Sequence, residues 1–240
     1  MLPLALLLVA QAARHTTLEV RGQAQDIYHF DPQGVRKGAL LYLPGDGGWR
    51  GMAIEMARSL AEAGYEVFAL DTKRYLTSFT GARTLTEEEI AGDLLEIARR
   101  TAGENSLFVG WSQGAAMGTL AAASPGSEKV FGGFVLVGLP DHAVLGWRTL
   151  DNITYITKKA PDEPMFQTGP ALTRTRGQRV AAVASTGDEY TPPDKVRALI
   201  EKVKGPRKFL LLDAKNHKFE GNLAGFYRAL KEAAAWAGGN

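Results

Sequence analysis

Apolar residues along this chain gather in short continuous runs, and the runs are separated by stretches with helical spacing. Residues 16–20 and 26–30 alternate apolar with polar around a turn containing Gly22, which predicts an antiparallel hairpin at a sheet edge. Residues 39–43, 65–70, 106–110, 133–138, 179–184 and 208–212 are near-uniformly apolar, as expected of strands covered on both faces. Between them, 49–63 carries Met52, Met56 and Leu60 at helical spacing and stops at Gly64. Thr86-Glu-Glu-Glu89 reads as a capping box opening a helix through Arg100, with Ile90, Leu94, Ile97 and Ala98 on one face. Further helices are predicted over 115–123, 193–203 and 223–237. Strands alternating with helices give an α/β class with a mostly parallel central sheet, helices on both faces and an N-terminal antiparallel hairpin.

Two segments break the rhythm. Residues 1–12 form an apolar run ending in Ala10-Gln11-Ala12, the form of a short signal peptide with an A-x-A-like cleavage site, although no Lys or Arg precedes it. They predict export to a periplasmic or secreted location and leave 13–240 as one domain. Residues 141–178 lose all periodicity while keeping Trp147, Tyr155, Phe166 and several prolines, which predicts a lid-like insertion of short elements.

Composition narrows the chemistry. The 240 residues are 45% hydrophobic and 22% charged with a net charge of +2, an ordinary globular balance for a single α/β domain. There is no Lys/Arg stripe with interleaved aromatics, so nucleic acid is not an expected partner. The chain has no cysteine, which excludes disulfides, thiolate metal sites and a cysteine nucleophile. Four histidines without ligand spacing predict neither a metal site nor a cofactor. No obligate protein partner is implied.

The chemistry is carried by Gly110-Trp-Ser112-Gln-Gly114, placed between a strand and a small-residue helix. G-x-S-x-G there is the form of a nucleophile elbow, with glycines because a Cβ would strike neighbouring backbone. A serine hydroxyl needs a base, and the base needs an acid that fixes its tautomer. Asp188 follows the strand at 179–184, directly after Gly187, which is expected to free the backbone; Glu189 beside it is an alternative acid. His217 follows the strand at 208–212 and completes the chain order Ser, Asp, His. His142 is a rival out of that order, expected at the pocket mouth. The oxyanion donors are expected to be the backbone N–H groups of Gln113 and of Asp46, the latter in the turn Pro44-Gly-Asp-Gly-Gly-Trp49. The Asp46 carboxylate is expected to cap the following helix or to meet a cationic group of the substrate. Trp49, Trp111, Lys73, Arg74 and His142 are the candidate substrate-binding residues. Lys73 and Arg74, with Lys215 and Lys218, are expected on loops at C-terminal strand ends, a rim compatible with an anionic substrate or contact with a membrane surface.

With these residues the chain resembles the α/β-hydrolase superfamily over nearly its whole mature length. Residues 40–123 also resemble the bacterial virulence-protein VirJ/AcvB family, through Leu43-Pro-Gly-Asp-Gly-Gly-Trp49, Asp71-Thr-Lys-Arg-Tyr75, Thr86-Glu-Glu with Asp93-Leu94, and Val109-Gly-Trp-Ser-Gln-Gly-Ala115. The acid and histidine loops follow that family's pattern less closely. The resemblance implies a periplasmic serine hydrolase acting on an ester such as aminoacyl-phosphatidylglycerol, with Ser112, Asp188 and His217 performing acyl transfer. A general carboxylesterase, a dienelactone-type hydrolase or a peptidase are the alternatives within the enzyme class, and a non-catalytic binding protein is the alternative outside it.

Overall fold

A computed structural model describes residues 13–80, 84–148 and 163–239. The signal-peptide expectation at 1–12 and the part of the insertion at 149–162, Tyr155 included, lie outside the described residues. In chain order the elements are β1 (Arg14–Val20), β2 (Gln23–Phe30), β3 (Gly38–Leu43), α1 (Met52–Glu62), β4 (Tyr65–Leu70), α2 (Thr72–Phe79), α3 (Glu87–Arg100), β5 (Ser106–Trp111), α4 (Gln113–Ala123), α5 (Ser127–Val130) and β6 (Phe131–Val137). They continue with β7 (His142–Val144), β8 (Met165–Gln167), α6 (Thr168–Leu172), β9 (Arg179–Ser185), α7 (Pro193–Ile200), β10 (Arg207–Leu212) and α8 (Leu223–Gly238).

Eight strands form one sheet in the order β1-β2-β4-β3-β5-β6-β9-β10. The predicted hairpin is its edge: β1 and β2 are antiparallel around Arg21-Gly22, both at positive φ, and β2 joins β4 antiparallel. All pairings from β4 to β10 are parallel.

The pleat sorts the apolar runs into two layers, because successive side chains of a strand face opposite sides. Leu41, Leu43, Phe108, Phe134, Leu136, Val180 and Ala182 join α3, α4 and α7 in one core. Leu40, Tyr42, Leu107, Val109, Val135, Val137, Ala181 and Val183 join α1 and α8 in the other. Burial on both faces is why these strands are apolar throughout. Helix α4 is buried at every position, which its Ala- and Gly-rich sequence permits and which removes any polar face. At Gly118 a β-carbon would come within 2.4 Å of the Phe108 ring.

One expectation about local structure changes. Lys73 and Arg74 do not lie on a loop: they lie in the first turn of α2, whose N-cap Asp71 accepts from the Arg74 backbone N–H at 3.2 Å. Within 141–178 the described part is ordered into a small antiparallel ribbon, β7 with β8, followed by α6.

Candidate active site

The site is built at the C-terminal ends of β5, β9 and β10. Strand β5 runs straight into α4, and Ser112 is the single residue between them, held at φ 55° and ψ −119°. So sharp a turn requires close backbone approach on both sides. A β-carbon on Gly110 would lie 2.5 Å from Gly114 O, and one on Gly114 would lie 2.1 Å from Leu43 O. Both glycines of the elbow are therefore required by space, as the sequence predicts.

The loop after β9 and the loop after β10 are tied together. Ser185 Oγ donates to Ala214 O at 3.1 Å, and Gly187 N donates to the same carbonyl at 3.0 Å. A β-carbon at Gly187 would lie 2.5 Å from Lys215 O. Gly187 is thus needed for the contact between the loops, not for backbone freedom.

That contact brings Asp188 to His217. Asp188 Oδ2 lies 2.7 Å from His217 Nδ1, and both residues are buried. The other carboxylate oxygen accepts from the N–H groups of Tyr190 at 3.0 Å and Thr191 at 3.1 Å. Burial pushes the Asp188 pKa up; the hydrogen bond and charge of His217 and the two backbone donors outweigh it and hold the carboxyl below its usual value. Glu189 has a different task, accepting the His217 backbone N–H at 2.8 Å. It fixes the main chain of the loop, while Asp188 fixes the ring.

The imidazole lies between two aromatic rings, stacked near Trp111 (6.0 Å between centroids, 21° between planes) and edge-on to Tyr190 (5.1 Å, 83°). It also packs on Gly138, where a β-carbon would meet Cε1 at 2.6 Å. Gly138 adjoins Val137, whose carbonyl accepts the Ser112 N–H at 2.9 Å, so imidazole and serine share one rim of the sheet. His217 Nε2 is buried and makes no hydrogen bond to the described residues. Ser112 Oγ and His217 Nε2 are therefore not hydrogen-bonded to each other in this structure.

The turn after β3 passes close to Ser112: a β-carbon on Gly45 would lie 3.2 Å from Ser112 Cβ. The backbone N–H groups of Asp46 and Gln113 enter no backbone hydrogen bond among the described residues. The Asp46 carboxylate does not cap α1, whose N-cap is Gly51. The Gln113 side chain has a role that the sequence did not signal: Nε2 donates to Val144 O at 2.8 Å and Oε1 accepts from Val144 N at 3.3 Å, pinning β7 to the start of α4.

The candidate substrate-binding residues divide. Trp111 touches the imidazole. Trp49 stacks on Tyr28 at 4.4 Å and packs against Tyr42, beside the turn that carries Asp46. Arg74 is paired with Asp26 at 2.8 Å, and Lys73 Nζ lies 5.7 Å from the Trp147 ring centroid. His142 is exposed and paired with Asp141 at 2.5 Å. It lines a cleft of about 300 Å³ with Gln167, Gly169, Leu199 and Lys202, apart from Ser112 and His217. Among the described residues, His29, Asp31 and Glu66 are close enough to share a cation, but Arg14 and Arg36 already bind the two carboxylates.

A nucleophile-type elbow after β5, an acid after β9, a histidine after β10 and this strand order form one architecture. The chain has the α/β-hydrolase fold. It is similar over most of its length to solved α/β hydrolases. With a soluble variant of monoglyceride lipase from Saccharomyces cerevisiae the TM-score is 0.70 at 12% identity, covering 96% of this chain and 97% of that one. With a putative dienelactone hydrolase from Klebsiella pneumoniae it is 0.68 at 13% identity, covering 95% and 98%. With Est1E from Butyrivibrio proteoclasticus it is 0.66 at 15% identity, covering 91% and 96%. In sequence, residues 38–129 match the family model of the bacterial virulence protein VirJ, a stretch running from β3 to α5 of the hydrolase fold. No curated protein sequence matches the chain.

Proposed function

We propose that the protein is a serine hydrolase that cleaves a carboxylic ester through an acyl-enzyme intermediate. The observation that carries this reading is the 2.7 Å contact of Asp188 with His217 Nδ1, which leaves Nε2 free on the rim where the Ser112 elbow projects. With Nδ1–H donating to Asp188, Nε2 is the basic nitrogen of the neutral ring. It takes the proton from Ser112 Oγ as that oxygen attacks the ester carbonyl carbon. The N–H groups of Gln113 and Asp46 receive the negative charge that develops on the carbonyl oxygen; a donor of this kind is worth about 3 kcal/mol in the transition state. The imidazolium returns its proton to the departing alcohol, and water repeats the sequence in reverse to free the acid and restore Ser112.

The substrate class we favour is an anionic lipid ester of the aminoacyl-phosphatidylglycerol kind. Its support is the VirJ match at 38–129, which spans the oxyanion turn, the start of α2 and the elbow, together with the exposed Lys215 and Lys218 in the histidine loop. Export directed by 1–12 would bring such an enzyme to a membrane surface. A general carboxylesterase is the second reading, favoured by the likeness to Est1E and to the dienelactone hydrolase over more than nine-tenths of the chain.

Hydrolysis of aminoacyl-phosphatidylglycerol vesicles, p-nitrophenyl esters and peptides, each followed by mass spectrometry, tests this directly. Release of amino acid from the lipid by the parent and not by Ser112→Ala is the expected result. Cleavage of the small esters alone favours the second reading, and cleavage of none overturns both.

A further inference from the structure

The turn that carries Asp46 has little backbone bonding of its own. Among the described residues its internal backbone bonding is limited to Gly48 N to Gly45 O at 3.1 Å and Arg50 N to Gly48 O at 3.0 Å. Its position close to Ser112 is fixed from outside, by the two residues that open α2. Thr72 is fully buried, and its hydroxyl donates to Pro44 O at 2.7 Å. Pro44 is the first residue after β3, and its carbonyl also borders Gly114, where a β-carbon would approach it to 2.6 Å. One carbonyl thus touches both the elbow helix and Thr72.

Asp71 holds the far end of the same turn. Its Oδ1 accepts from Arg74 N at 3.2 Å, capping α2, while Oδ2 accepts from Trp49 N at 3.4 Å. Gly48, at φ 75°, lets the chain pass beside this carboxylate, since a β-carbon there would lie 3.3 Å from Oδ1 and 3.4 Å from Lys73 Cβ. The turn from Pro44 to Trp49 is therefore anchored at both ends to Asp71-Thr72, and Asp46 lies between the anchors.

We infer that Asp71 and Thr72 are positioning residues for the oxyanion turn: they set the distance of the Asp46 N–H from the carbonyl oxygen under attack. The inference rests on the serine-hydrolase reading and adds to it. Helix capping alone explains one oxygen of Asp71 but neither the Thr72 hydroxyl nor the Trp49 contact. A donor displaced by about 1 Å still lets substrate bind but loses transition-state stabilisation on the order of tenfold to a hundredfold in rate.

The test is steady-state hydrolysis of a p-nitrophenyl ester by the parent, Thr72→Val, Thr72→Ser and Asp71→Asn, with a thermal melt of each. Thr72→Val keeps the shape and removes the hydroxyl. Asp71→Asn keeps one acceptor, enough for the cap or for Trp49 but not for both. Expected is a fall in kcat of about tenfold or more for Thr72→Val with KM near the parent's. Thr72→Ser should recover much of that loss, and Asp71→Asn should lower kcat at little cost in melting temperature. Parent-like kcat in both folded Thr72→Val and Asp71→Asn overturns the inference, as does a change confined to KM. Should Thr72→Val fail to fold, Asp71→Asn decides by the same readout. Failure of the underlying reading is separate and visible in the parent, which would show no serine-dependent hydrolysis at all.

Discussion

Holding Ser112 at φ 55° and ψ −119° costs an L-residue about 1–3 kcal/mol, and the backbone packed around it keeps it there. Gly114→Ala should therefore be severe. Its β-carbon would lie within 2.1 Å of Leu43 O, and β3 would have to move; a loss of several kcal/mol in urea unfolding is the expected outcome. The polar residues of the site are separable by their effects. Ser112→Ala should leave the melting temperature close to the parent's while lowering kcat by about 10³-fold or more, since the members of such a group act as a unit. Asp188→Asn presents an amide to Nδ1, which favours the wrong tautomer of His217, and a loss on the order of 10⁴ in kcat is expected. The acid limb of stability should change as well. Asp188 has a lowered pKa when folded, so over the range between its folded and unfolded values the unfolded chain binds more protons. Its stabilising contribution is present above the ordinary aspartate value of about 3.9 and is lost as pH falls through the folded value. Chemical denaturation from pH 5 downward should show a shallower loss of stability in Asp188→Asn than in the parent.

Among the elements, α3 shows how far local signals reach. Thr86 Oγ1 accepts from Glu89 N at 3.2 Å while the Glu89 carboxylate accepts from Thr86 N at 3.0 Å, the two-way cap that the residue pattern predicts. Thr86→Ala should cost about 1 kcal/mol, measurable by urea titration. Strands β3 to β6 and β9 were equally legible, because burial on both faces leaves an uninterrupted apolar run; β10 carries such a run too, but as the edge strand it is only partly covered and Leu211 is exposed, contrary to the expectation for 208–212. Helix α2 was not. Its eight residues include Lys73, Arg74, Thr77 and Ser78; Tyr75 and Leu76 are buried beside Thr72, and Phe79 packs partly against the core. The cue that could have found it is Asp71, an N-cap residue directly after a strand. The short ribbon β7–β8 was illegible for another reason. Three-residue strands carry too little periodicity, and β7 is held by the Gln113 carboxamide, a contact between residues 31 positions apart. The same limit applies to the site. Ser112, Asp188 and His217 could be read from strand ends and chain order. The separate tasks of Glu189, Gln113, Asp71 and Thr72 depend on which loops meet, which no local pattern records.

At the scale of the whole molecule, one sheet with a core on each face gives the site its rigidity, and a buried polar cluster joins the hairpin to that body. Asp93 accepts from Arg21 Nε at 2.8 and 2.9 Å and from Tyr75 OH at 2.7 Å, linking the β1–β2 turn, α2 and α3. Tyr75 and Asp93 are both among the residues on which the resemblance to VirJ rests, and their contact assigns them a structural task away from Ser112. Asp93→Ala would strand both donors, and a destabilisation of about 1–3 kcal/mol without change in the active fraction's kcat is expected from combined unfolding and kinetic measurements. In the proposed mechanism, three loops of this sheet make one hydroxyl reactive. The decisive measurement is incubation of the folded protein with a fluorophosphonate followed by intact mass spectrometry. A single adduct located on Ser112, absent from Ser112→Ala and formed far more slowly in His217→Ala, is the expected result. A folded parent that gains no mass, or an adduct formed equally fast without His217, would contradict that mechanism.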